Sequence, residues 1–251
     1  MKLLRKQINN YLTYDLFKHS KRIYVVKVSD SYSRAMLFMR AQEFYETPLA
    51  DFWNKPFCIF DFMNQYRLNK QDEHANCKYP EDWAGYNVPS DSLEKCYSLD
   101  ATRDNFKGFI TPYDLMMYDI IKSIREDQPK GRFYLIGVDS EESKTMDHEL
   151  AHALYFTNPQ YKAEMDELVE GLPETLKSKL FEVLLQIGYR MEVANDETQA
   201  FMSTGLYGKM HKIRGIVNQS KKFSKIYKKY TNEKLHTTKQ SGPRRHTAGL
   251  A

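Results

Sequence analysis

The sequence predicts an α+β fold, mainly helical with a small mixed sheet. Three observations predict it. Short β-branched or apolar runs at 23–28, 57–62 and 132–138 read as strands. Longer stretches with apolar residues three and four apart, bounded by capping residues, read as helices. The length of 251 residues suits one good core with a small appendage. We therefore expect one domain over 1–205 and a C-terminal tail over 206–251 that is partly disordered.

In chain order, Leu4, Ile8, Leu12 and Leu16 recur at helical spacing and predict an N-terminal helix over 3–19. Ile23–Val28 is the first predicted strand. Ser29-Asp30-Ser31 supplies N-cap chemistry for a helix to about Glu46, which Thr47-Pro48 ends. Phe57–Phe62 reads as a second strand. Residues 67–90 are polar, hold Pro80, Gly85 and Pro89, and read as a long loop that could gate a site. Its Tyr79, Trp83 and Tyr86 either line a groove or pin the loop down. Its His74 and Cys77, with Cys96, lack the paired-cysteine spacing of a second metal site.

Thr111-Pro112-Tyr113-Asp114 opens a helix whose apolar face is Met117, Ile120, Ile121 and Ile124, and Gln128–Gly131 stops it. Residues 132–138 form the third predicted strand, placed to serve as an edge that pairs with an extended peptide. Beyond it come a helix to about Tyr155, one opened by Asn158-Pro159 and one carrying Leu176, Leu180, Val183, Leu184 and Ile187. Gly188 caps the last of these, and Asn195-Asp196 opens a short helix closed by Gly205.

Composition excludes several classes. A hydrophobic share of 41% with 14% aromatics fits a folded chain. No apolar run is long enough for a membrane span, and the N-terminus turns polar where a signal peptide needs its apolar stretch. Three cysteines without tight spacing predict reduced thiols and a cytoplasmic setting. The net charge of +4 is divided unevenly: of 37 basic and 33 acidic residues, twelve basic and one acidic fall in 206–251. That segment therefore carries +11 and the remainder −7.

The chemistry concentrates at Asp147-His148-Glu149-Leu150-Ala151-His152-Ala153-Leu154. His-Glu-x-x-His places two imidazoles four residues apart on one helix face, close enough to share a metal ion. Met146, Leu150 and Ala153 fall roughly opposite and seat the helix on a core. Glu149, beside the first ligand, is placed to take a proton from a metal-activated water. A catalytic zinc needs three protein ligands. The extended motif with a third histidine is excluded, because no histidine follows His152 at the required distance. Two intervening helices would return the chain near residue 195 to the motif helix, which brings Glu197 forward as third ligand, with Glu192 and Asp196 as competitors. Asp147 and Glu192 are candidate carboxylates behind the ligands.

His148–His152 together with Asn195–Phe201 resemble the gluzincin type of zincin metallopeptidase, in which a downstream helical Glu completes the zinc site. The 45 residues from His152 to Glu197 are similar to the spacing in the anthrax lethal factor type. The resemblance covers a metal-site core of about 132–205 and implies Zn²⁺ held by His148, His152 and Glu197, with Glu149 as general base. It also favours Tyr189 over Tyr207 or His211 as the donor to the oxyanion. The implied function is hydrolysis of a peptide or protein substrate. The sheet would then carry the metal helix against its face.

Residues 209–245 interleave lysines with Phe223, Ile226, Tyr227 and Tyr230. They read as an amphipathic helix with a disordered end, as a contact for nucleic acid or another anionic surface, or as an arm on the acidic body. A rival reading follows: a catalytically silent binding module whose basic tail engages an anionic partner. The presence of Glu149, which zinc binding alone does not require, leans toward the enzyme.

Overall fold

A computed structural model describes residues 1–8, 12–47, 49–69, 77–98, 109–139 and 144–231. It confirms an α+β fold of helices with one five-stranded mixed sheet. The chain parts between Glu141 and Glu142 into two compact units. The expected division fell instead at 205/206.

The first unit holds the whole sheet. Strands β1 (Lys2–Ile8), β2 (Thr13–Lys18), β3 (Ile23–Lys27), β4 (Tyr86–Pro89) and β5 (Tyr134–Val138) lie in the order β1-β2-β3-β5-β4. Only the β3–β5 pairing is parallel. Ile23, Tyr24, Val25 and Val26 are all buried, as a strand covered on both faces requires. Strand β5 is an interior strand, paired with β3 and β4, so the expected peptide-binding edge at 132–138 is corrected. Its five residues are all buried, and the edges belong to β1 and β4.

Helix α1 (Ser31–Glu46) starts where the sequence places it, with Asp30 accepting from the Ser33 amide at 2.6 Å. It packs on β4 and β5, and at Gly137 an added Cβ would overlap the Phe38 ring. Glycine at 137 is what lets this helix approach the sheet. Among the described residues the unit also holds α2 (Ile59–Asn69), α3 (Tyr79–Asp82), α4 (Ser90–Cys96) and α5 (Pro112–Asp127). A reciprocal capping box between Thr111 and Asp114 opens α5.

Three expectations for this unit are corrected. In place of the helix expected over 3–19, residues 2–8 and 13–18 form the antiparallel strands β1 and β2, with Tyr14 and Leu16 buried in alternation. Phe57–Phe62 runs into α2, because Phe62 packs edge-on against Phe52 and lies beside Phe57 in the core. Within 67–90, residues 67–69 end α2, residues 70–76 lie outside the described residues, and 77–90 supplies α3, β4 and the first residue of α4. Tyr79 and Tyr86 there are fully buried, and with Trp83 they pin the segment to the core instead of lining a groove.

The second unit is helical: α6 (Lys144–Thr157), α7 (Pro159–Glu170), α8 (Glu174–Gln186), α9 (Ala194–Thr204) and α10 (Ile216–Thr231). Asn158 caps α7 through the amides of Gln160 and Tyr161, both at 3.1 Å. Gly188, at φ +94°, turns the chain after α8 as the sequence requires. Helix α9 packs on α6, α7, α8 and α10, so it lies at the centre of the unit. Helix α10 is docked by Ile216, Phe223 and Tyr227, all buried. The expected tail therefore begins inside this unit; residues 232–251 lie outside the described residues. No helix among the described residues is long and apolar enough to cross a membrane.

Candidate metal centre

Helix α6 is buried on nearly every side from Met146 to Ala153. Met146, Leu150 and Ala153 seat it, and the polar residues His148, Glu149 and His152 are no more than 3% exposed. Burying so many polar groups on one helix is costly unless each has a partner or a charge to hold. Their arrangement shows what they are aimed at. The Nε2 atoms of His148 and His152 face each other at 3.2 Å with the rings nearly perpendicular. Helix α9 brings in Glu197, whose Oε2 lies 3.8 Å from His148 Nε2 and whose Oε1 lies 3.8 Å from His152 Nε2.

These three side chains offer ligand atoms within 4.8 Å of one another, the one such His/Cys/Asp/Glu group found among the described residues. A tetrahedral zinc with ligands about 2.0–2.1 Å away sets its donor atoms roughly 3.3 Å apart. The imidazole nitrogens at 3.2 Å match that value, and each lies 3.8 Å from a different oxygen of Glu197. The buried group can hold a metal ion.

The back of the site fixes one ligand's tautomer. His152 Nδ1 lies 2.9 Å from Asp196 Oδ1. A carboxylate partner accepts, so Nδ1 carries a proton and Nε2 is the nitrogen turned toward the group. Gln199 Nε2 donates to the same Asp196 oxygen at 2.9 Å, and Tyr161 Oη donates to Gln199 Oε1 at 2.9 Å. Burial opposes protonation of His152, but the charges of Asp196, Glu197 and Glu149 outweigh it and push its pKa up to about 10. The surrounding carboxylates thus favour positive charge at His152.

The sequence-predicted residues fall as follows. His148, His152 and Glu197 converge, and the buried Glu149 carboxylate is close enough for its charge to act on His152. Tyr189 is buried with its ring 6.1 Å from Phe201, which lies 4.6 Å from the His148 ring. Tyr207 packs on the same Phe201 at 6.1 Å. Glu192 lies on the surface beside Arg190 at 3.2 Å, away from the group. Asp196, weighed above as a ligand, is the partner behind His152. Asp147 is buried, and its carbonyl oxygen accepts from Tyr227 Oη at 3.2 Å.

Tyr161 and Gln199 escaped the sequence reading. The spacing of Asp196 and Gln199, three apart on one helix face, is the signal that would have found the latter. His74 lies outside the described residues; burial pushes the thiol pKa values of Cys77 and Cys96 up, away from the thiolate a metal takes. Comparison with protein-family models, curated proteins and solved structures returned no match.

Proposed function

We propose that this chain is a zinc-dependent peptidase of the gluzincin type, acting on a peptide or protein substrate. The observation that carries the reading is the convergence of His148, His152 and Glu197 at 3.2 to 3.8 Å with Glu149 adjacent in the same buried helix. Two imidazoles and one carboxylate are a donor set that suits zinc, and three protein ligands leave a fourth position open. Zinc held there supplies Lewis-acid chemistry, lowering the pKa of a water toward 7 and polarising a carbonyl.

The chain's own residues do the rest. Glu149 is not needed to hold the ion, and its carboxylate is assigned the proton transfers: it would take a proton during attack and return it to the leaving amine. Asp196 holds His152 in the ligating tautomer, with Gln199 and Tyr161 holding Asp196. Tyr189 is the proposed donor to the oxyanion; its ring packs on Phe201, which packs on the His148 ring. The free cysteines Cys58, Cys77 and Cys96 suit a reducing, cytoplasmic setting within the same proposal.

The test is zinc content after dialysis, by elemental analysis, followed by a peptide-library digest. One zinc per chain in wild type and Glu149→Gln, loss in Glu197→Ala, and cleavage by wild type alone would support the reading. A zinc-free wild type would overturn it. Zinc without cleavage of any peptide would leave a metal site and remove the peptidase.

A further inference from the structure

Helix α10 has two faces with different roles. At 100° per residue, Lys221, Lys222, Lys225, Lys228 and Lys229 fall within an arc of about 120°, opposite Ile216, Phe223 and Tyr227. The apolar set is buried in the second unit, and the five lysines are exposed. Docking of one face therefore fixes the helix from which the lysines of the other face project. No acidic residue occurs between Glu197 and Glu233, and Lys209, Lys212 and Arg214 extend the exposed basic surface ahead of the helix. Among the described residues, the only carboxylate that pairs with a lysine of this helix is Glu164, which takes Lys229 at 2.7 Å and leaves the other four lysines unpaired.

We infer that the exposed lysine face of α10 is a contact surface for the phosphate backbone of double-stranded nucleic acid. Five lysines on one side of a helix about 24 Å long make a line of point charges suited to a polyanion. The remaining chemistry of the helix selects among polyanions. A helix that lies in a bilayer interface must offer its apolar face to the lipid, and here that face is spent on the protein's own core. Val217 is the one large apolar residue of α10 that is exposed.

Single strands are gripped by stacking bases on free aromatic rings. The aromatics that made stacking attractive in the sequence are occupied. Phe223 and Tyr227 are buried, and Tyr230 donates to Glu164 at 2.6 Å and packs edge-on against Tyr161. What remains is charge without stacking or insertion, which is backbone recognition of a duplex.

The test is fluorescence anisotropy of a labelled duplex titrated with the full chain at increasing salt. Each phosphate neutralised contributes about −0.9 to the slope of log affinity against log salt. Replacing Lys221, Lys222, Lys225 and Lys228 together by Gln should flatten that slope by about three to four and weaken binding at least tenfold at low salt. Gln keeps the helix propensity of Lys, and an unchanged melting temperature checks that the variant folds. Should the fourfold variant unfold, Lys225→Gln alone should flatten the slope by about one.

A parallel variant with Lys234, Lys239, Arg244 and Arg245 replaced by Gln separates the helix from the segment beyond it. The proposal requires that variant to keep the contribution of the helix. Wild type that does not bind the duplex would overturn the inference, as would a helix variant with undiminished affinity. Tighter binding of wild type to phosphatidylserine vesicles than to the duplex would overturn it in favour of an anionic lipid surface.

Discussion

Arg40 and Asp114 in the first unit are as deeply buried as His148, His152 and Glu197 in the second, yet the two groups dispose of their charge differently. The first is closed. Asp114 accepts from Arg40 Nε at 2.8 Å, Arg40 Nη2 at 3.2 Å, Tyr97 Oη at 3.1 Å and both the amide and hydroxyl of Thr111 at 2.8 Å. The remaining guanidinium donors reach the carbonyls of Phe57 and Phe109. The charges cancel, and each group is aimed at a neighbour. The second group is open toward its middle. Two imidazole nitrogens and a carboxylate point at a common centre, and their outer side is tied down by Asp196 and Gln199. A closed network fastens helices together, whereas a convergent one can hold a metal ion. Burial alone does not separate the two cases; the direction of the lone pairs does.

The largest test of that distinction is turnover. If the second group is catalytic, Glu149→Gln should lower peptide cleavage by about 10²- to 10⁴-fold while zinc content stays at wild-type level. Parallel loss of zinc and turnover would instead make Glu149 part of the binding cluster. For the closed network the expected loss is in stability. Asp114→Ala strands a buried guanidinium and should cost about 3–5 kcal/mol in urea unfolding. A cost below about 1 kcal/mol would mean that water or relaxation already satisfies Arg40.

Metal should act on the open group alone. Zinc at a thousandfold excess over its dissociation constant stabilises the site-bearing unit by about 4 kcal/mol, read as a rise in melting temperature that a chelator reverses. Glu197→Ala should abolish most of that rise. Asp196→Ala should keep zinc but weaken it by about 10- to 100-fold, because His152 is then free to turn and change tautomer. Unchanged affinity in Asp196→Ala would mean that packing alone orients the ring.

How much of this was legible in the sequence follows the same line between local and non-local causes. The motif helix, the capped starts at Asp30, Thr111 and Asn158, and the turn at Gly188 are written in neighbouring residues, and they appear in place. Glu197 could be approached because a helix pair returns the chain to where it began. The hairpin of β1 and β2 was hidden: Leu4, Ile8, Leu12 and Leu16 satisfy a four-residue period, but burial is decided by pairing with β3 across the sheet. Phe57–Phe62 is a short apolar run of the kind that suits either element, and its aromatic neighbours in the core made it a helix. The bond from Tyr161 to Gln199 joins residues 38 apart, and nothing in either segment announces the other.

The pH dependence is the most discriminating test, since it gives the same site opposite trends with and without metal. In the metal-free chain the carboxylates around His152 raise its pKa to about 10, above the value of an unfolded histidine near 6.5. A raised pKa contributes stability that is complete below about 6.5 and is lost as pH climbs toward 10. Chelated protein should therefore become progressively less stable across that window. Zinc needs the same nitrogen deprotonated, so each ion bound displaces a proton and affinity should rise about tenfold per pH unit over the same range. Zinc titrations at several pH values, with a buffer of known metal affinity, read that slope directly. Glu197→Gln removes one of the carboxylates that raise the pKa, so the window should narrow from its upper end. A zinc affinity that does not change with pH would mean that His152 is already neutral without metal, and the open group would then be held by dipoles rather than by charge.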